Sequence, residues 1–341
     1  MSRLVVVSFR LGSTDGVSIE TVKWINAFRS LGHEVTTLAG DGDADVVMSE
    51  LAIRSSNAPN LDKVTDALLD ADLVVVENMI SLPLNVAARD VLYRALNDRP
   101  ALFHHHDLAW QRPEWIDEPP PLDQPFWRHV TINDLSRREL LARGVKATTI
   151  YNAFDPDPPH GRRANMRREL GLTSERLVLL PTRAIARKNV AGAIRLAEEL
   201  GAILWLLGPA EDGYGPELEC LIRASRVEVR RGLAEGFEIH DAYAASDLVA
   251  MPSTWEGFGN PVLESVTHRR PLAVFPYPVL EEIRSFGFRF FDLTDVAGIN
   301  AFLSEPDTAL LEHNHALARQ YFNVADLPGR LAPLLETWDL K

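Results

Sequence analysis

Short apolar runs rich in Val, Ile and Leu alternate with longer amphipathic stretches along most of the chain. Leu4 to Ser8, Glu34 to Leu38, Leu73 to Glu77, Ala101 to His104, His129 to Ile132 and Ala147 to Ile150 read as strands, with helical periodicity between most of them. The alternation resumes with Leu177 to Thr182, Ile203 to Leu207, Val227 to Arg230, Leu248 to Met251, Leu272 to Phe275 and Phe288 to Phe291. Apolar strands separated by helices belong to parallel sheets covered on both faces. The pattern therefore predicts an α/β protein with two doubly wound, Rossmann-like domains. Residues 153–175 carry Pro156, Pro158, Pro159 and Gly161 followed by charged residues, a composition suited to an exposed connection. The expected division is a first domain over 1–155, a linker over 156–175 and a second domain over 176–322. The tail from Leu310 to Lys341 reads as two helices interrupted near Asp326 and Pro328. Open α/β sheets bind ligands beyond the carboxyl ends of their strands. Two such domains facing a central cleft are expected to share one site.

Length agrees with this division, because 341 residues exceed the usual single core. The formal charge of −13 is spread over both halves, with −8 over residues 1–160 and −5 over the remainder. Neither half is a basic nucleic-acid footprint, so no nucleic-acid partner is expected, although a local basic patch is compatible with the totals. The single cysteine, Cys220, excludes an internal disulfide and a cysteine-built zinc site and fits a reducing, cytoplasmic setting. No apolar run approaches the roughly 20 residues of a membrane-spanning helix, and the opening Met1 to Val7 is short for a secretory signal. Membrane contact is therefore expected to be at most peripheral, at the inner face.

Candidate chemistry gathers at predicted strand ends. The segment Trp255-Glu256-Gly257-Phe258-Gly259-Asn260-Pro261-Val262-Leu263-Glu264 follows the strand at Leu248 and sets two carboxylates eight positions apart around a glycine-rich turn that opens a helix. Such a turn aims backbone N–H groups and a positive dipole end at an anion. After the strand at Leu177 comes Pro181-Thr182-Arg183-Ala184-Ile185-Ala186-Arg187-Lys188-Asn189. Arg183 and Lys188 there suit a diphosphate clamp, the one as a fork and the other as a point charge, or else are ordinary loop cations. In the first half, Gly16 in Leu11-Gly12-Ser13-Thr14-Asp15-Gly16 either lets a phosphate approach the backbone or belongs to a plain strand-to-helix turn. The spacing is not G-x-G-x-x-G, which disfavours a dinucleotide oxidoreductase. Side chains alternate along a strand, so His104, His105 and His106 cannot all face one way, and the spacing of a zinc protease is missing. Glu77 and Asn78 end the third strand, placed either to bond acceptor hydroxyls or to cap the next segment.

The Glu256 to Glu264 segment, with the Arg183 and Lys188 loop, resembles the signature of the retaining glycosyltransferases of family 4, the glycosyl transferases of group 1. The resemblance implies the GT-B fold and transfer of a hexosyl group from a UDP- or GDP-sugar to an acceptor hydroxyl. It implies a front-face mechanism with no protein nucleophile, no metal and no other cofactor. Arg183, Lys188, Glu256 and His106 become the catalytic candidates, with Glu256 and His106 on the donor sugar and Glu264 on the ribose. Gly16, Phe258, Gly259 and Asn260 complete the donor set. Glu77, Asn78, Asp107, Trp110 and Arg112 become the acceptor set. The segment 323–341 is expected to cross back onto the first domain. Two departures stand out: Asp15-Gly16 replaces a usual Gly pair, and Thr267-His268-Arg269-Arg270-Pro271 replaces a small residue and Gly before the Pro of the next strand. A nucleotide-sugar epimerase on the same scaffold and a non-catalytic nucleotide-sugar-binding protein are the alternatives. Sugar, acceptor, linkage and oligomeric state are not written in the sequence.

Overall fold

The structure is a computed structural model and describes residues 1–13 and 15–338. Thr14 and the last three residues of the expected C-terminal helix lie outside the described residues. The chain divides into two compact units, one of residues 1–153 with 324–341 and one of residues 154–323.

In the first unit the strands are β1 (Arg3–Ser8), β2 (Glu34–Ala39), β3 (Val46–Val47), β4 (Leu73–Glu77), β5 (Ala101–His105), β6 (Trp127–Thr131) and β7 (Ala147–Thr149). They pair in the order β3-β2-β1-β4-β5-β6-β7, every pair parallel. In the second unit they are β8 (Leu177–Leu180), β9 (Ile203–Leu206), β10 (Val229–Arg231), β11 (Leu248–Met251), β12 (Leu272–Val274) and β13 (Phe291–Asp292). These pair in the order β10-β9-β8-β11-β12-β13, again all parallel. Each order reverses once, at β1/β4 and at β8/β11. The crevice at such a reversal, beyond the carboxyl strand ends, is where the topology leaves room for a ligand.

The period-two alternation is visible in the cores. On β1, Val5 and Val7 pack to one face with Leu38, Val74, Val76 and Phe103. Leu4 and Val6 pack to the other with Trp24, Phe28, Val75 and Leu102. That second face also receives Leu327, Leu331, Leu334 and Leu335 from the helix Leu327–Glu336. Burying each of these leucines contributes roughly 1.5–3 kcal/mol, which anchors the end of the chain to the first unit.

The stretch expected as a linker is not a bare connection. Residues 156–175 lie in the second unit and contain the helix Arg163–Glu169. Arg162 bonds the Asp241 carboxylate at 2.6 Å, and Arg163 reaches the carbonyls of Ala244 and Ala245 at 2.8 Å. The prolines only mark its entry. Strand β3 was not read in the sequence, because two exposed valines give no alternation to detect.

Candidate functional site

In the second unit the loops after β8 and β11 flank the strand-order reversal. The first includes a short 3-10 turn over Ala186–Lys188 and then Asn189 in the left-handed region (φ 48°), capping the helix Val190–Leu200. Asn189 holds this bend by accepting from the Gly192 N–H at 3.2 Å and donating to the Pro252 carbonyl at 3.1 Å. That second bond ties the two loops together.

Glu256 is the hub. Its side chain is buried; one oxygen accepts from Lys188 Nζ and the other from Arg187 at 2.8 Å. Arg187 also donates to the Trp255 carbonyl at 2.9 Å. Burial alone would raise the Glu256 carboxyl, but the charges of Lys188 and Arg187 outweigh it and hold the group below the usual carboxylate range. The cluster thus carries two cations and one carboxylate. Ammonium has three donors, so Lys188 keeps donating capacity beyond its bond to Glu256.

Arg183 lies on the same loop, partly exposed, and pairs with Glu211 at 2.6 Å. Its backbone is pinned by the loop after β9, where a Cβ at Gly208 would come within 2.7 Å of the Arg183 backbone. Gly259 has φ 88°, and a Cβ there would strike Tyr277 Oη, which donates to the Phe258 carbonyl at 3.1 Å. The helix Asn260–Thr267 starts directly after it. Phe258 itself is buried against Phe154 and Phe322, so its ring is packing. Glu264, half-buried in the second turn, accepts from Tyr243 Oη at 2.7 Å. The Ser253 hydroxyl helps to lower the Glu256 carboxyl, while Thr182 Oγ1 and Trp255 Nε1, both on these two loops, are buried polar atoms without a hydrogen-bond partner among the described residues. Such groups are costly unless something pairs with them.

In the first unit the equivalent strand ends hold a different cluster. Glu77 ends β4 with its side chain fully buried, and its Oε2 accepts from His104 Nδ1 at 2.9 Å and from His106 Nε2 at 3.1 Å. Each ring gives one N–H to the same carboxylate oxygen, and in the tautomer that donates through Nε2 alone His106 keeps Nδ1 as an acceptor. Burial would raise Glu77, but the His104 and His106 interactions bring it down to about 2. Burial holds His104 below the ordinary histidine value, and its ring stacks on Trp24 at 3.9 Å. Asn78, with φ 57°, accepts from the backbone N–H of His106 at 3.0 Å and of Asp107 at 3.3 Å, fixing the turn that presents His106. His105 points to the other face, bonding Ser81 at 2.7 Å and His129 at 2.9 Å.

The ligand atoms of Glu77, His104 and His106 lie within 4.8 Å of one another, a spacing compatible with a metal ion among the described residues. Both rings share one Glu77 oxygen, while Glu77 Oε1 and His104 Nε2 are buried without a hydrogen-bond partner among the described residues.

Several expected roles are reassigned by this geometry. Glu77 and Asn78 are buried beneath His106 and are not open to an acceptor. Trp110 is buried with Leu108, Leu140 and Val145, its indole N–H bonded to Glu139 at 2.9 Å and Arg143 lying over its ring, so it is a packing residue. Asp107 and Arg112 are partly exposed and pair at 3.2 Å. Gly16 has no left-handed backbone; it begins the helix Gly16–Ser30, whose first N–H groups, from Val17 and Ser18, are taken by the Asp15 side chain at 3.0 and 3.2 Å. A carboxylate therefore occupies the position in which a phosphate was expected. The left-handed glycine of that loop is Gly12, φ 75°. Arg187, Glu211 and Tyr243 went unassigned in the sequence. Arg187 stood inside the quoted motif and had a signal; Glu211 and Tyr243 lie far from it in the chain and had none.

Comparisons with known proteins bear on the same segments. Residues 185–305 match the family model described as glycosyl transferases group 1. The chain is 26% identical to mannosylglucosylglycerate synthase of Petrotoga mobilis, covering 84% of this chain and 86% of that protein. It is 24% identical to the protein of the same name from Thermotoga maritima, covering 97% and 99%. The crystal structure of Anabaena HepE in complex with UDP and glucose superposes with a TM-score of 0.78 at 18% identity, covering 99% of this chain and all of that one. The fold is GT-B.

Proposed function

The chain belongs to the glycosyl transferases of group 1 and is a glycosyltransferase, and on that premise we propose that it moves a hexosyl group from a nucleoside diphosphate sugar to an acceptor hydroxyl, with retention and without a metal. The observation that carries this reading is the Lys188–Glu256–Arg187 cluster beside the strand-order reversal of the second sheet.

Departure of the nucleotide builds negative charge on the β-phosphate. Preorganised cations and N–H donors aimed at that charge are the main lever available to an enzyme. Lys188, the remaining donors of Arg183 and the amide end of the helix Asn260–Thr267 supply them. Glu256 holds the Lys188 ammonium and the Arg187 fork in fixed positions, so little reorganisation is needed as charge develops. Glu264, already oriented by Tyr243, takes the ribose hydroxyls. His106, its tautomer set by Glu77, offers Nδ1 to a hydroxyl of the donor sugar. The acceptor attacks on the face from which the phosphate leaves, and the phosphate oxygen takes its proton. Neither Glu77 nor Glu256 serves as the nucleophile in this scheme: Glu256 has both oxygens engaged by cations, and Glu77 is fully buried with Oε2 held by two ring N–H groups.

The relatives' shared name describes synthesis of a small glycoside of glycerate, and the Anabaena neighbour binds UDP and glucose. Compact, negatively charged glycosides are therefore the first acceptors to test, with GDP- and UDP-hexoses as donors. Arg183→Ala and Lys188→Ala are each expected to lower turnover by about 10²–10³. Wild-type rates in both variants would remove the clamp. An inverted anomeric centre in the product, seen by NMR, would remove the retaining mechanism, and loss of turnover with EDTA would remove the metal-free one.

A further inference from the structure

A cleft of about 1110 Å³ opens at the opposite edge of the second sheet, among the loops that precede β8, β11 and β12. Six arginines line it: Arg163, Arg167, Arg168, Arg176, Arg269 and Arg270. Against them stand one lining carboxylate, Asp247, and Glu312, which pairs with Arg269 at 2.7 Å. Asp247 is shared by Arg163 at 2.5 Å, Arg167 at 3.2 Å and the Leu177 N–H at 2.9 Å. Among the described residues Arg176 bonds only neutral oxygens, those of Asn300 at 2.5 Å and Ser304 at 3.3 Å. Arg168 is exposed, and its guanidinium has no partner among the described residues. Among the described residues Arg270 reaches one carbonyl, that of Ser246, at 3.4 Å, and its buried Nε has no partner.

We propose that this cleft binds a phosphate-bearing anion carrying at least two negative charges, at a site separate from the sugar-transfer residues. The separation follows from the sheet: Arg183, Lys188, Glu256 and Glu264 follow the carboxyl ends of β8 and β11, whereas the cleft adjoins the amino ends of the same strands. A surplus of cations in a chain of net charge −13 is not an average property of its surface. Guanidinium forks match phosphate oxygens in pairs, which favours a phosphate over a simple halide. Arg270 is also the residue at which the chain departs from the small-residue and Gly pattern of its family. Burial and the neighbouring Arg163 charge lower its proton affinity, and a bound anion would relieve both.

The test is calorimetry on the full chain with pyrophosphate as the probe and saturating UDP present to fill the sugar-transfer site, comparing wild type, Arg168→Ala, Arg168→Ala/Arg270→Gln and Lys188→Ala. The expected result is saturable binding, weakened several-fold by Arg168→Ala, which removes an exposed side chain and leaves the fold intact. The double variant should weaken it at least tenfold, and Lys188→Ala should leave it unchanged. Flotation with phosphatidylcholine vesicles doped with phosphatidic acid separates the two sources of the phosphate. Vesicle capture abolished by the double variant assigns the site to a lipid headgroup, whereas pyrophosphate binding without capture assigns it to a soluble phosphate. Three outcomes overturn the proposal: pyrophosphate binding lost in Lys188→Ala but kept in the double variant, neither probe bound, or duplex DNA held more tightly than both through these arginines.

Discussion

Replacing Glu77 by Gln tests the buried carboxylate–histidine cluster through its pH dependence. The carboxyl lies at about 2 in the folded chain against an ordinary value of 4.5. A carboxyl lowered on folding contributes stability that is fully present above its unfolded value and is lost as pH falls towards its folded value. The gap corresponds to about 3 kcal/mol near neutral pH. Between pH 5 and pH 3 the loss is about 2 kcal/mol by the same linkage. Other carboxylates of the first unit titrate over this range too, but they are common to both proteins and cancel in the comparison. The ring signals of His104 and His106, followed by NMR over the same pH range in both proteins, give the contribution of the two rings, which is subtracted from each. Native-state hydrogen exchange of the β4 and β5 amides, corrected for intrinsic rates, reads the opening free energy of this sheet directly. Wild type should lose about 2 kcal/mol more than Glu77→Gln from pH 5 to pH 3. Equal losses would mean that Glu77 is not an anion held by the two rings, and the assignment of His106 Nδ1 as acceptor would fall with it.

Three further outcomes follow from particular contacts. Glu256→Gln leaves the Lys188 ammonium buried without its counter-charge and should cost about 3–5 kcal/mol in urea unfolding, whereas Lys188→Met/Glu256→Gln should cost clearly less because no unpaired buried ammonium remains. Gly259→Ala forces an L side chain into φ 88° and against Tyr277 Oη; a lowered melting temperature is expected, partly restored by adding Tyr277→Phe, which removes the struck oxygen. Asp15→Ala should destabilise the first unit by about 1 kcal/mol, the usual contribution of an N-cap, while calorimetry shows unchanged UDP affinity. Weaker UDP binding in that variant would return the helix start at Gly16 to the donor site.

How much was legible follows from which signals are local. Strand positions came directly from apolar runs, because a parallel strand covered on both faces must be apolar at nearly every position, as β4 and β8 are. The motif loops were legible for a related reason. Gly259 must be glycine to accept its backbone angle, and Asn189 must bend back to cap the next helix, so the local chain alone dictates both. Burial at strand ends was not legible. Glu77 and Trp110 are polar or amphipathic residues at the positions where acceptor groups are expected, and nothing next to them in the chain shows that His104, His106 and Glu139 already meet their polar atoms. The same limit explains Glu256. From sequence it is a carboxylate in a sugar-receiving loop, whereas in the structure both its oxygens are engaged by cations that lie 68 and 69 positions earlier. Its leverage on the sugar is then indirect: it fixes the charges that receive the departing phosphate. A conservative Glu256→Gln change should accordingly reduce turnover more than it weakens donor binding, since the lost interaction matters most when the leaving group becomes charged.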